Sequence, residues 1–351
     1  MLIKDVIRHL ESIAPPSLQE GYDNAGLIVG DPQATVQGVL TCLDSTEAII
    51  EEAIEKGCNL VVAHHPIVFK GLKRLTGKNY VERTVIKAIK NDIAIYAIHT
   101  NLDHVRYQGV NERIAQQLGL ENIRILAPKK DVLLRFEAQV GVQQIDSIKA
   151  NIQELLVNQV SPSPAYVFGT VGVLQQEEGA SGAGLLSFVA PHYLQRSIEG
   201  LLANNLERDT YQLQVQQSQN TFTDVGAGMI GELPTPMPLQ EFLKKTKEAM
   251  QAGVVRYTAP VQKEVQTIAV CGGAGGFLLG AAKGAGADVF ITSDYKYHEF
   301  FDADGDIVIA DIGHFESEQY TIQLLQEIIS QKFSNFAVHC TSVNTNPVHY
   351  L

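Results

Sequence analysis

The sequence is short of cysteine, of basic residues and of long apolar runs, and each shortage removes a class of protein. Only four cysteines occur in 351 residues. Cys42, Cys58, Cys271 and Cys340 lie far apart and mostly within apolar, strand-like runs, so they read as buried reduced thiols rather than a disulfide framework. No stretch approaches the length of a membrane span. The N-terminal Met1-Leu-Ile-Lys-Asp-Val-Ile-Arg-His-Leu10 alternates charge with apolar residues at helical spacing and lacks the unbroken apolar centre of a signal peptide. With the reduced thiols, this predicts a cytoplasmic protein. Lysine and arginine number 27 against 39 aspartates and glutamates, a formal net charge of −12 that repels a phosphate backbone at long range. Basic stretches such as Lys70-Gly-Leu-Lys-Arg74 and Lys129-Lys130 are short enough to be solvated loops. Nucleic acid is therefore not an expected partner.

What is present is an α/β pattern. Hydrophobic residues make up 45% of the chain, enough to bury one large core or two to three smaller ones. Strand-like runs at Val36–Leu43, Leu60–Ala63 and Ile93–Ile98 alternate with helical patterns at Ser45–Lys56 and Val81–Asn91, and their nearly continuous apolar character suits a sheet covered on both faces. A helix at Val110–Leu118 closes this section at Gly119.

The character changes near Pro128. Residues 130–222 read as β-α-β twice, with strands at Val132–Val140, Ala165–Leu174, Leu185–Val189 and Thr210–Gln216, helices at Gln144–Val157 and His192–Asn204, and a loop at Gln175–Gly184. This stretch is rich in glutamine and poor in histidine, so it reads as an inserted domain that leaves residues 1–127 and 226–351 to form one discontinuous core. The passage Gly226–Pro238, rich in glycine and proline, marks the return as a linker or an ordered turn region. After it come a helix at Leu239–Met250, strands at Val254–Tyr257, Thr267–Cys271, Asp288–Thr292 and Ile307–Ile312, a helix from His314 to Ser330, and a strand at Asn335–Ser342.

Three clusters in the outer sections carry metal-ligand chemistry. His64-His65 ends an apolar run and is closed by Pro66; His99-Thr-Asn-Leu-Asp103-His104 follows the next strand; Gly313-His-Phe-Glu-Ser-Glu318 follows a late one. Imidazoles and carboxylates are ligands for zinc, iron and manganese. Both members of a His-His pair reach one centre only if the backbone turns after the strand, and Pro66 favours that turn. His314 and Glu318, four apart on a helix, share a face. Each cluster has a bland reading as surface or structural contact. All three, however, follow apolar strands that a parallel sheet would align, and this convergence predicts a metal site. His64, His65, Asp103, His314 and Glu318 exceed the needs of one four-coordinate ion, so two divalent metals sharing a carboxylate are expected. The run Gly272-Gly-Ala-Gly-Gly276 fits neither the dinucleotide fingerprint nor the P-loop, and reads either as a plain tight turn or as a phosphate contact.

At these residues the chain resembles the NGG-interacting-factor-three-like family of dinuclear-metal-centre proteins, often called GTP cyclohydrolase I type 2 homologues. The resemblance rests on Asp23-Asn-Ala-Gly-Leu-Ile-Val-Gly30, Leu43-Asp44, Ala63-His-His-Pro-Ile67, His99–Asp103, Gly109-Val-Asn111, Cys271-Gly-Gly-Ala-Gly275 and Gly313–Glu318, in the family's order. It implies metal ligation by the same five residues with Glu318 bridging two ions, a toroidal hexamer whose sites line an internal cavity, and a ferredoxin-like insert similar to the PII and CutA proteins. The chain departs from the family pattern in three places. Gln175–Gly184 replaces the insert's glycine-rich loop, Ser293-Asp294 stands where the family has Gly-Glu, and Tyr22 takes the place of a tryptophan, of which this chain has none. His298 matches and is the candidate proton shuttle, with His104 as a second candidate. Two functions are implied: a metal-dependent hydrolase of a nucleotide or phosphorylated small molecule, or a non-catalytic metal-handling or regulatory scaffold.

Overall fold

The computed structural model describes residues 1–159, 183–205, 212–261 and 263–351. They form two compact units, one of Met1–Ala127 with Gly226–Leu351 and one of Pro128–Val225. Among the described residues no helix is long and apolar enough to cross a membrane.

The first unit is mixed α/β and contains two sheets. Strands β1 (Gly26–Val29), β2 (Gly38–Cys42), β3 (Leu60–Ala63) and β4 (Ala94–Ala97) are joined by β14 (Ala337–Cys340) in the order β1-β4-β3-β2-β14, parallel except for β1. Every residue of β2, β3 and β4 is buried, as their unbroken apolar runs require of a sheet covered on both faces. The crossover helices Glu47–Glu55 and Tyr80–Lys90 start where Thr46 and Asn79 accept hydrogen bonds from the backbone N–H groups of Ile49 and Glu82.

The second sheet contains β5 (Glu121–Pro128), β9 (Gly226–Pro238), β10 (Arg256–Tyr257), β11 (Glu264–Val270), β12 (Val289–Thr292) and β13 (Val308–Asp311), in the order β10-β13-β12-β11-β9-β5. Strands β11, β12 and β13 are parallel; β10 and β9 run antiparallel to their neighbours β13 and β11. Parallel strands with crossovers bring the ends of β3, β4, β11 and β13 toward one cavity, and that is where the candidate ligands sit.

Several elements differ from the sequence expectation. Gly226–Pro238 is neither linker nor turn but strand β9. Its prolines fit because Met237 pairs with Val265 and Glu232 with Thr267, so Pro234 and Pro236 fall in an irregularity where the ladder bonds are interrupted. Strands β1 and β5 had no counterpart in the expected elements, and the last helix is broken into His314–Glu318 and Thr321–Lys332.

In the second unit, β6 (Leu133–Gly141) lies between β7 (Ala183–Pro191) and β8 (Gln212–Gln217), antiparallel to both. Leu134, Phe136, Ala138 and Val140 are buried on one face of β6, and the Phe136 and Phe188 rings stack at 5.1 Å. Helices Ile145–Gln159 and Gln195–Asn205 are the α-helices among the unit's described residues. The strand expected at Ala165–Leu174, and residues 175–182 of the loop expected after it, lie outside the described residues.

Candidate metal centre

The two histidines after β3 are fixed by the backbone before any side-chain chemistry enters. The N–H groups of His64 and His65 donate to the carbonyls of Cys42 and Leu43 (3.1 and 2.9 Å), extending the parallel ladder past the end of the strand. His64 Nδ1 lies 2.9 Å from the Ile98 carbonyl, so it carries the proton and leaves Nε2 as a bare lone pair, buried and without a hydrogen-bond partner. The other three histidines of the cluster repeat this device with carboxylates. His65 Nδ1 is 2.8 Å from Asp44 Oδ1, His99 Nδ1 is 2.8 Å from Asp23 Oδ1, and His314 Nδ1 is 2.7 Å from Asp294 Oδ2. Four imidazoles are thus oriented from behind, the arrangement that raises ligand basicity and fixes the tautomer in metal sites.

Glu318 divides the centre. Its Oε2 is 3.0 Å from His65 Nε2 and 3.1 Å from His314 Nε2, and those two nitrogens are 3.4 Å apart. Ligands about 2.0–2.1 Å from a tetrahedral zinc stand roughly 3.3 Å from one another, so these three atoms have the spacing of one ion's ligands. Its Oε1 faces His64 Nε2 at 4.0 Å, and His64 Nε2 is 3.5 Å from Asp103 Oδ1, itself buried without a hydrogen-bond partner. Groups that can hold a metal ion are therefore His65, His314 and Glu318; His64, Asp103 and Glu318; and His64, His65 and His99.

Electrostatics follow from this crowding. Burial drives the His64 imidazole down to about 3, where it stays neutral. Burial also opposes charge on His65 and His314, yet the carboxylates beside them outweigh it and raise them to about 10 and about 9. Burial and the Glu318 charge hold Asp103 well above the usual carboxylate range, whereas hydrogen bonds from His314 and His65 keep Glu318 well below it despite burial. The raised imidazoles and the lowered carboxylate share one cause, the contacts of Glu318 Oε2 with His65 Nε2 and His314 Nε2 at 3.0 and 3.1 Å.

Glycines let the backbone approach. Gly273 has φ +62°, and a Cβ there would lie 2.5 Å from Glu318 Oε1; Gly313 has φ +94°, and a Cβ there would lie 2.2 Å from Glu316 Oε2. The amides of Gly272, Gly273 and Gly275 donate to Asn111 Oδ1, Ser317 Oγ and Thr292 Oγ1 at 2.9–3.0 Å. These bonds are those of a tight turn tied to three elements, the helix Val110–Gln117, strand β12 and, through Ser317, the ligand helix.

A family model described as Duf34/NIF3 (NGG1p interacting factor 3) matches residues 1–347. The chain belongs to the Duf34/NIF3 family. Proteins named GTP cyclohydrolase 1 type 2 homolog from Staphylococcus epidermidis and Halalkalibacterium halodurans are 30% and 32% identical to it, over 100% of both chains for the first, and over 99% of this chain and 98% of the relative for the second. The crystal structure of a Bacillus cereus protein related to NIF3 matches with a TM-score of 0.84 at 29% identity, covering 100% of this chain and 99% of that one. A Staphylococcus aureus structure matches at 0.80, with the same identity and coverage.

In this Duf34/NIF3 chain, His64, His65, Asp103, His314 and Glu318 come together, and His298 does not join them. It is exposed on the short helix Tyr297–Ala303, against the rings of Tyr297 and Phe301 at 5.2 and 6.5 Å, and it does not line the cavity. His104 is buried, with Nδ1 2.9 Å from the Leu18 carbonyl and Nε2 3.2 Å from Glu20. Sequence reasoning placed His99 in the second cluster but not among the five ligands, although it stands four residues before Asp103 and the spacing argument used for His314 and Glu318 applied equally. It also gave no role to Asp23, Asp44 and Asp294, the carboxylates that orient the imidazoles. The Duf34/NIF3 cluster opens into a cavity of about 1340 Å³ with Tyr22, Phe69, Tyr80 and Phe277 on its wall; among the described residues Arg256 is the one lysine or arginine there, and it is paired with Asp311.

Proposed function

We propose that the cluster holds two divalent metal ions bridged by Glu318, one with His65 and His314 and the other with His64 and Asp103, and that the centre is a hydrolytic one acting on a nucleotide or phosphorylated small molecule. The observation that carries this is the placement of Glu318, whose two oxygens face two separate sets of ligands. His99 is within reach of the same cluster. Zinc, iron(II) and manganese all suit mixed imidazole and carboxylate ligands. Such ions supply Lewis acidity and lower the pKa of water.

The chain's own residues do the rest. The carboxylates behind the histidines hold the imidazoles in one tautomer, and the Gly272–Gly276 turn keeps Glu318 in place. A cavity of this volume exceeds the usual range for small-molecule sites and its aromatic wall suits a planar base. The name GTP cyclohydrolase 1 type 2 homolog, carried by relatives about 30% identical, makes GTP the first substrate to try. In this reading His298 transfers no proton inside its own cavity; with Tyr297 and Phe301, 71% and 67% exposed, it belongs to a surface for homo-oligomerisation, for which the toroidal hexamer is the expected form. Residues 128–225 are proposed to be a ferredoxin-like insert, supported by two helices packed with an antiparallel sheet.

One observation favours the second reading, a metal-handling or regulatory scaffold: among the described residues the cavity wall carries one lysine or arginine, Arg256, and it is paired with Asp311. Protein loaded with zinc, iron(II) or manganese and incubated with GTP and a panel of phosphoesters decides between them. Metal-dependent turnover that disappears in the His65→Ala, Glu318→Ala double variant supports the hydrolase. Tight metal binding with no turnover above the variant on any substrate supports the scaffold. Native mass measurement reads the oligomer, and a monomer would remove the hexamer.

A further inference from the structure

The segment after β14 is more than a trailing end. Thr341 N donates to the Thr41 carbonyl at 3.0 Å, and the amide and hydroxyl of Ser342 donate to Glu52 Oε1 at 2.8 and 2.7 Å, so the segment leaves the first sheet firmly anchored. It then runs along the cavity, whose wall includes Thr345, Asn346, Pro347, Val348 and Tyr350. Thr345 Oγ1 lies 2.8 Å from Asp44 Oδ2, the oxygen that His65 leaves free. Asn346 Nδ2 lies 3.1 Å from Glu316 Oε1, on the helix that carries His314 and Glu318. The Tyr350 ring takes space that only glycine leaves open: a Cβ on Gly253 would lie 2.5 Å from Tyr350 Cδ2, and one on Gly313 3.1 Å from its hydroxyl oxygen.

We propose that Thr345 is a positioning residue of the metal centre, acting through Asp44 on His65, and that Asn344–Tyr350 ties the wall bearing His65 to the wall bearing His314 and Glu318. The physical reason is the two-fold freedom of a carboxylate. Asp44 has one oxygen on His65; without a donor on the other, it can rotate about its terminal torsion and carry the imidazole with it. A hydroxyl on Oδ2 removes that freedom, and so fixes the direction of His65 Nε2. Asn346 does the same for Glu316, which lies between His314 and Glu318 on the ligand helix of the opposite wall. Neither residue touches the reacting atoms. Both set the distance between the two walls, which share Glu318.

This inference rests on the metal reading above, and cobalt(II) alone, used as the probe, separates the two. Thr345→Val keeps the volume and removes the hydroxyl; its affinity for Co²⁺ is expected to fall roughly threefold to tenfold, below the ten- to hundredfold typical of removing a ligand's direct partner. The Co²⁺ visible absorption is expected to shift, and Thr345→Ser to restore both affinity and spectrum. Thr341→Val, which loosens the same segment at Glu52 away from the ligands, is the structural control: it is expected to lower the melting temperature and leave the spectrum unchanged. If wild type and Thr345→Val bind Co²⁺ with the same affinity and spectrum, or if Thr341→Val reproduces the spectral shift, the positioning role is overturned. If the wild type binds no Co²⁺ at all, the metal reading itself fails and takes this role with it.

Discussion

A glycine can be as specific to a metal centre as a histidine, and Gly273 is the test of that at the residue scale. Its φ of +62° and the 2.5 Å between a Cβ and Glu318 Oε1 mean that Gly273→Ala meets both backbone strain and a carboxylate held on two sides by His65 and His314. A loss of about 1–3 kcal/mol is expected in chemical denaturation, with weaker metal binding because Glu318 must move. Gly276→Ala is the contrast: its Cβ would meet the Tyr295 ring at 3.6 Å, an ordinary contact, so stability and metal binding should change little. Were the run a phosphate cradle rather than a support for Glu318, the two substitutions would act alike on metal affinity. The carboxylates behind the imidazoles make a second prediction. Asp44→Asn turns the acceptor for His65 Nδ1–H into a weaker, neutral one, and metal affinity by competition with a chelator is expected to fall by about tenfold to a hundredfold.

At the scale of elements, the part of the fold legible in the sequence is the part with unbroken apolar runs. Leu60–Ala63 and its neighbours cannot be anything but covered strands, and the histidines that follow are placed by the same ladder. Strand β9 was not legible because its glycines and prolines argue locally for a turn. Only pairing with β11, which puts Pro234 and Pro236 opposite an irregularity, lets it be a strand. His99 was legible by its spacing to Asp103, yet its partner Asp23 comes from a separate motif 76 residues earlier and no local pattern links them. Long-range pairing also explains Glu52, on the helix Glu47–Glu55, whose carboxylate accepts from Lys56, Thr341 and Ser342 and so joins that helix to the chain beyond β14. Burial would raise its pKa, but these donors bring it down to about 2 from an ordinary 4.5. A depressed carboxylate stabilises the fold fully above pH 4.5, and the contribution is lost as pH falls toward 2. Glu52→Gln should therefore be less stable than wild type at pH 7, by about 1–3 kcal/mol. The gap should close between pH 4.5 and 2 in paired denaturation curves. A gap independent of pH would mean that the loss comes from packing rather than charge.

For the whole molecule, the centre is a join. Its candidate ligands come from after β3 and β4 of the first sheet and after β13 of the second, and among the described residues none comes from the unit Pro128–Val225. His65 and His314 present nitrogens 3.4 Å apart, and His64 Nε2 and Asp103 Oδ1 are buried without hydrogen-bond partners. Cations would satisfy all of these atoms at once, so metal binding should stabilise the two-sheet unit by mass action. At a free metal concentration a hundred times the dissociation constant the gain is about 2.7 kcal/mol, and each kcal/mol is worth about 2–4 °C in a domain of 150–250 residues. A saturable rise in melting temperature of roughly 5–10 °C with zinc, manganese or cobalt follows, reversed by a chelator. Glu318→Gln, which removes the charge both ligand sets share, should abolish most of the rise. Hydrogen exchange gives the spatial version of the same prediction. Protection gained on adding metal should appear in peptides covering residues 60–67, 97–104 and 311–320 together, because a bridged centre orders both sheets at once. Peptides from 128–225 should not change. Gain confined to one sheet would instead describe ions held separately on each wall, and the bridge through Glu318 would have to be given up.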